Sequence, residues 1–366
     1  MADRVRGAML GAGQWAGVLA AASAQCQALD LRWCWARDPD KLLAFAGRHR
    51  LQPRGDLDAL LADPELDAVF IALPNSEHAR FAEAAARQGK HVFIEKPVAG
   101  TLAEGLSIRQ LERSHGVHVA VGHCARFLAG NRVIRRLIES GELGQLTQIE
   151  AVFGNGRGLR LQRTDWRWYQ SGAPGGPLSQ IGIHQFDVLE ALGGPIRSVS
   201  ARSAHHSPLP SEVEDQWMVV VEFADGKLGS LAVNWTSPGR YAVRATGMHG
   251  SAVYEIDQTL WSDASRLHEN ARLRIERAGG GSAASTELAV EPGNMFTEEL
   301  DHFAGVVLGR HANAITADAA CRALAAVEAS IESARRGGAA VGIDAVIQAA
   351  GPGAGVPAEP SSGLTS

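Results

Sequence analysis

Val5-Arg6-Gly7-Ala8-Met9-Leu10-Gly11-Ala12-Gly13-Gln14-Trp15-Ala16 is the stretch on which the fold turns. Its first six residues read as a buried strand, and an Ala-rich helical pattern begins at Trp15. Between them lies G-x-G-x-x-A. In a strand–turn–helix unit, Gly11 permits the tight turn and Gly13 lets the backbone approach a pyrophosphate. Ala16 keeps the helix close to the sheet. Free N–H groups at the helix start attract phosphate oxygens. The spacing predicts a dinucleotide site with Gly11, Gly13, Gln14 and Trp15 at its phosphate turn. A lone match to this pattern is weak, so its surroundings carry the weight.

Those surroundings agree. Strand-like runs at 31–36, 67–73, 91–95 and 117–122 alternate with helical patterns at 38–48, 77–88 and 101–114. Such alternation implies βαβ units and a parallel sheet covered on both faces. After about residue 125 the texture changes. Helical segments at 132–140 and 178–192 flank a strand at 146–153 and a Gly/Arg/Trp-rich loop at 154–176. Strands at 198–204, 216–223, 227–235, 241–247, 252–256 and 273–277 then follow without intervening helices, one pair turned by Asp225-Gly226. Helices at 295–308 and 316–335 come last. The predicted fold is α/β: a Rossmann-type doubly wound parallel sheet in residues 1–125, then an α+β domain in residues 126–350. That second domain carries an open, mostly antiparallel sheet for substrate binding and oligomerisation, as a homodimer or homotetramer. Residues 351–366 are Gly/Pro/Ser-rich and predicted to be disordered.

The bulk numbers exclude several classes. A net charge of -5 over 366 residues leaves no basic footprint for nucleic acid. Cys26, Cys34, Cys124 and Cys321 are scattered, which fits reduced buried thiols and neither a zinc site nor a disulfide framework. No spacing of His and carboxylate residues predicts a metal site; His205-His206 reads as a solvated loop. Residues 8–24 imitate a signal peptide, yet Gly11, Gly13, Gln14 and Gly17 interrupt the apolar run. No other stretch approaches a membrane helix. The expectation is a cytoplasmic protein with no membrane partner.

Three features carry chemistry. The acidic residue that holds a ribose 2′-OH falls about 20 positions after the phosphate turn in NAD sites. Here Ala36 occupies that place and Arg37 follows it, which favours the 2′-phosphate of NADP over NAD. Asp38, one step on, keeps NAD open. Pro74, Asn75 and His78 follow an apolar strand on the carboxyl edge of the sheet, where ligands of open α/β folds bind. Glu95-Lys96-Pro97 ends another strand on that edge. A lysine there can give a proton to a carbonyl being reduced, with a pKa lowered by burial and nearby cations. Pro97 disfavours helical geometry at Lys96, and Glu95 is read as positioning it. The loop 154–169 alternates arginine and tryptophan, and Arg163 and Trp166 are its candidate substrate contacts.

Gly89-Lys90-His91-Val92-x-x-Glu95-Lys96-Pro97 and Gly175-Gly176-Pro177-Leu178-x-x-x-Gly182-x-His184-x-x-Asp187 resemble the Gfo/Idh/MocA oxidoreductases, from about Val5 to Ala345. The resemblance implies reversible hydride transfer between NAD(P) and a hydroxyl of a sugar, polyol or related ring. It makes Lys96 the catalytic lysine and His184 the histidine exchanging the substrate hydroxyl proton. Inositol dehydrogenase-like members carry an aspartate four residues before that histidine. Gln180 stands there instead and can only hydrogen-bond a hydroxyl. Asp187, one helical turn beyond His184, is the candidate orienting partner. A sensor that binds NAD(P) or sugar without turnover, and a redox-neutral NAD-using glycosidase, remain open readings.

Overall fold

A computed structural model describes residues 4–277 and 284–351. The tail predicted to be disordered lies outside these residues from 352 onward. The first half alternates as expected: β1 (Val5–Leu10), α1 (Gln14–Ser23), β2 (Leu29–Trp35), α2 (Pro39–His49), β3 (Gln52–Pro53), α3 (Leu57–Ala62) and β4 (Ala68–Ile71). There follow α4 (His78–Arg87), β5 (His91–Glu95), α5 (Leu102–His115) and β6 (Val119–Gly122). The strands form one parallel sheet in the order β3-β2-β1-β4-β5-β6. Local chemistry starts the helices. Asp38 accepts hydrogen bonds from the Asp40 and Lys41 N–H groups, with Pro39 in the first turn. Thr101 and Glu104 close a reciprocal cap on α5.

The second half contains α6 (Ala129–Glu139), β7 (Leu146–Gly154), α7 (Ile183–Gly193), β8 (Ile196–Ala204), β9 (Gln216–Phe223) and β10 (Leu228–Asn234). It continues through β11 (Arg240–Gly247), β12 (Gly250–Ile256), β13 (Ala271–Arg277), β14 (Ala284–Leu288), α8 (Met295–Val307), α9 (Ala317–Arg335), β15 (Val341–Gly342) and α10 (Ile343–Ala350). Nine strands run β14-β13-β12-β11-β7-β10-β9-β8-β15. The sheet is mixed, because β7 pairs parallel with β10 at its centre and the other neighbours are antiparallel. The sequence pattern misses β3, α3, β14, β15 and α10, all too short for a periodicity to show.

One departure concerns the helix expected at 178–192. Its first turn, Leu178–Gly182, is a π-helix, and the α-helix proper starts at Ile183. Such turns insert one residue into the helical ladder and recur at functional sites. The two halves also pack together. Helix α8 returns to the first sheet, where Phe303 packs on Phe70 and Phe93 with centroids 5.7 Å apart in both pairs. Asp301 accepts hydrogen bonds from the Gln27 and Ala28 N–H groups at 3.0 and 2.8 Å. Buried residues of both halves consequently form one continuous core.

Candidate functional site

The order of the first sheet reverses between β1 and β4, and the crevice outside their carboxyl ends is where such sheets bind ligands. Gly11 lies there at φ +121, and a Cβ on it would meet the Ala72 carbonyl oxygen at 2.4 Å. Only glycine fits. Gly13 caps α1 without any side-chain hydrogen bond, and the first turn of the helix holds no acidic residue. A Cβ on Gly13 would meet nothing within 4 Å, so the backbone faces open space. These are the features of a pyrophosphate cradle, and the residues present fit a dinucleotide. Gln14 is exposed beside it, while Trp15 is half-buried against Phe296, centroids 6.0 Å apart.

The remaining edge residues are sorted by their contacts. Arg37 is largely exposed and stands 3.9 Å from Glu77. Pro74 is exposed and Asn75 half-buried at the turn after β4. His78 is buried, with its ring nitrogens 3.0 Å from the carbonyl oxygens of Pro97 and Leu73. Expected as a cofactor contact, it sits between the two edge turns, and the single N–H of the neutral ring donates to one of these carbonyls. The Lys96–Pro97 bond in the second turn is cis.

Lys96 reaches across to the second half, where its Nζ donates to the Gln180 carbonyl oxygen at 3.0 Å. Gln180 therefore meets the lysine through its backbone, in the π turn, and not through the side chain on which the sequence reading concentrated. Burial lowers the Lys96 pKa; Glu95 and Cys124 oppose that, and Arg167 and Arg157 add to it. Glu95 accepts from the Lys96 N–H at 3.1 Å, and its buried carboxyl is pushed up to about 7 despite the adjacent lysine. His184 is buried one helical turn beyond Gln180, and its Nδ1 has no hydrogen-bond partner. Trp261 and Phe153 stand around the ring, with centroids 5.7 and 6.2 Å away. Excluded water, then Lys96 and His123, keep its pKa well below the usual histidine range.

Asp187 does not orient His184. Its two carboxylate oxygens accept from Nε and Nη2 of Arg126, both at 2.6 Å, and Arg126 also donates to the Ala314 carbonyl. This buried pair is bidentate. His123, which the sequence reading missed, lies beside it with its Nδ1 3.8 Å from Asp187. Neither ring nitrogen of His123 has a hydrogen-bond partner, and burial brings its pKa down to about 4. Glu299 on α8 is also new. It is fully buried with both oxygens unpartnered, and burial together with Glu95 and Asp187 holds its carboxyl well above the usual range. The Gly-x-His spacing gives no hint of either residue, because one comes from the segment after β6 and the other from α8.

In the 154–176 loop, Arg163 stacks over Trp168 at 5.7 Å and Trp166 is exposed beneath Arg167 at 4.1 Å. Trp235 is fully buried. All four cysteines are free and buried. Among the described residues no His/Cys/Asp/Glu group fits a metal ion, and no helix is long and apolar enough to cross a membrane.

A phosphate-cradling turn, a half-buried lysine two strands along the same sheet edge and a buried histidine on α7 outline a dinucleotide site with acid–base groups beside it. Residues 5–123 match the oxidoreductase family with an NAD-binding Rossmann fold, and residues 131–261 match the GFO/IDH/MocA C-terminal domain. The chain belongs to the Gfo/Idh/MocA oxidoreductase family. It is 33% identical to D-xylose dehydrogenase of Paenarthrobacter nicotinovorans, over 47% of this chain and 45% of that one. The match therefore spans about half of that relative. It is 30% identical to dTDP-3,4-didehydro-2,6-dideoxy-alpha-D-glucose 3-reductase of Saccharopolyspora spinosa, over 67% of this chain and 70% of that one. Among solved structures, a protein of Desulfitobacterium hafniense provisionally assigned as an NADPH-dependent oxidoreductase is 32% identical. It superposes with a TM-score of 0.89 over 95% of this chain and 100% of that one.

Proposed function

We propose that this chain transfers a hydride between NAD(P) and a hydroxyl- or carbonyl-bearing carbon of a sugar, polyol or related ring. Lys96 and His184 handle the hydroxyl proton. The observation that carries the reading is the Lys96 Nζ donating to the Gln180 carbonyl, one turn from a His184 that lacks a partner on Nδ1. When bound, the nicotinamide supplies the hydride acceptor or donor. On alcohol oxidation the hydroxyl proton passes to the unprotonated Lys96 amine or to His184; on carbonyl reduction the lysine returns it to oxygen. Burial and the neighbouring arginines favour the unprotonated amine nearer neutral pH than for a solvated lysine. The aromatic surroundings of His184 exclude water from the transfer.

Gly11, Gly13 and Gln14 would hold the pyrophosphate, with Trp15, Pro74, Asn75 and Glu95 shaping the cradle around it. Arg37 would pair with a 2′-phosphate, which supports NADP over NAD. The assignment of the D. hafniense structure points the same way. The names of the two relatives support a sugar substrate. Residues 1–125 and 126–350 are taken as cofactor and substrate domains, supported by family matches that end at 123 and resume at 131. Met218 and Val220 on β9 are exposed apolar side chains on the open face of the second sheet, opposite Ala232 and Ser230 of β10. A homodimer or homotetramer would cover them, and sedimentation velocity reads its mass.

Fluorescence titration with NADPH and NADH, followed by a panel of sugars and cyclitols, tests the reading. Tighter NADPH binding and net reduction of the oxidised cofactor by one sugar are expected. Absence of nucleotide binding, or substrate turnover without net cofactor change, would overturn it.

A further inference from the structure

Behind the aromatic wall of His184, where the Trp261 N–H donates to the Gln258 carbonyl at 3.0 Å, lies a cavity of about 450 Å³, lined among others by Arg157, Arg160, Asp165, Gln258 and Thr259. Asp165 is the one carboxylate in that lining, and it is already taken. It lies 3.5 Å from the guanidinium of Arg167 and accepts from the Arg167 N–H at 3.0 Å. Arg157 and Arg160 make no ion pair among the described residues. The positive charge of Arg157 disfavours that of Arg167, and both disfavour a proton on Lys96.

Converging like charges are unfavourable unless a counter-charge joins them. Nor is the loop free to relax. The Arg157 N–H donates to the Asn155 side chain at 3.0 Å, the Gly158 N–H to the carbonyl of buried Trp235 at 2.8 Å, and the Ser207 hydroxyl to the Gly158 carbonyl at 2.7 Å. A Cβ on Gly158 would meet the Trp235 Cβ and carbonyl oxygen at 3.0 Å, so the close approach needs glycine. The backbone holding the arginines is thus fixed before any ligand arrives.

We propose that this cavity takes an anionic group carried by the sugar substrate, a carboxylate or a phosphate, bound by Arg157 and Arg160. Arg167 supplies further positive field, and the anion is thereby set at a fixed distance from the carbon served by Lys96. The proposal rests on the hydride-transfer reading and narrows its substrate to acidic sugars. Arginine suits this task because its planar fork matches both groups.

The test uses the full chain loaded with NADPH or NADH, whichever binds, in buffer free of phosphate and carboxylate. Calorimetric titrations compare D-glucuronate, D-glucose 6-phosphate and D-glucose. At least one anion should bind about tenfold or more tighter than glucose, the scale of a charged hydrogen bond. That preference should vanish in R157Q/R160Q and weaken with added salt. The better of the two anions tells carboxylate from phosphate. Glucose binding as tightly as both anions, a preference that survives in the double variant, or no anion binding up to millimolar concentration would each overturn the proposal. Nucleotide binding is read first, so its loss would count against the hydride-transfer reading and not against the cavity.

Discussion

Gly11 and Lys96 stand two strands apart on one sheet edge, yet the first is defined by an absent side chain and the second by what surrounds its own. At the phosphate turn, exposed backbone and an uncapped helix do the work, and twelve consecutive residues contain all of it. Around Lys96 the actors are ionisable groups from four separate segments, β5, the stretch after β6, α7 and α8. The turn depends on local conformation, and the lysine pocket depends on desolvation and on long-range packing.

The contrast is broken most severely at Asp187. Removing one partner of a buried bidentate pair leaves Arg126 charged and uncompensated, so Asp187→Ala should cost about 3–5 kcal/mol in chemical denaturation. A change below about 1 kcal/mol, the scale of a surface pair, would show that the pair is not structural. Gly11→Ala attacks the other region. The left-handed φ and the clash with the Ala72 carbonyl should cost about 2–3 kcal/mol, with nucleotide affinity falling further than stability. Unaltered NADPH titration in a folded Gly11→Ala protein would contradict the cradle. Arg37→Ala sharpens the cofactor assignment: NADPH should weaken about tenfold with NADH little changed, as for loss of one charged hydrogen bond. Equal loss of both would mean adenine stacking.

A further handle on the lysine pocket is a pH dependence of stability. His123 is neutral in the folded chain down to about pH 4, whereas an unfolded histidine takes up its proton near pH 6.5. The unfolded state therefore binds more protons between those values, and stability falls as pH drops through that window. Because the ring makes no hydrogen bond, His123→Phe should keep neutral-pH stability and reduce the fall of Tm between pH 6.5 and 4, the remainder belonging to histidines such as His91 and His302. An unchanged slope would remove His123 from the cluster's acid response.

What was legible in the sequence follows the same division. The alternation of strands and helices, the Gly11–Ala16 turn and the Glu95-Lys96-Pro97 strand end are local, and the structure puts each on the expected edge. His184 comes from the resemblance carried by the Gly175–Asp187 segment. Asp187 was visible but given the wrong neighbour, because helical periodicity reports which face a residue shares and not what approaches that face from Arg126. Gln180 was judged by its side chain, and the π turn that turns its carbonyl to Lys96 has no sequence signature. His123 and Glu299 looked like an ordinary histidine after a strand and a helical glutamate. Only the return of α8 onto the first sheet makes the glutamate part of the site.

The central claim is that Lys96 moves the hydroxyl proton and does not merely hold the cofactor. Stopped-flow and steady-state turnover of Lys96→Ala with the preferred sugar, alongside nucleotide fluorescence titration, separates the two. Turnover should fall by about 10²–10⁴, the usual contribution of a positioned acid–base group, with nucleotide affinity within about twofold of the parent, a shift under 1 kcal/mol. Undiminished turnover in that variant would contradict the account.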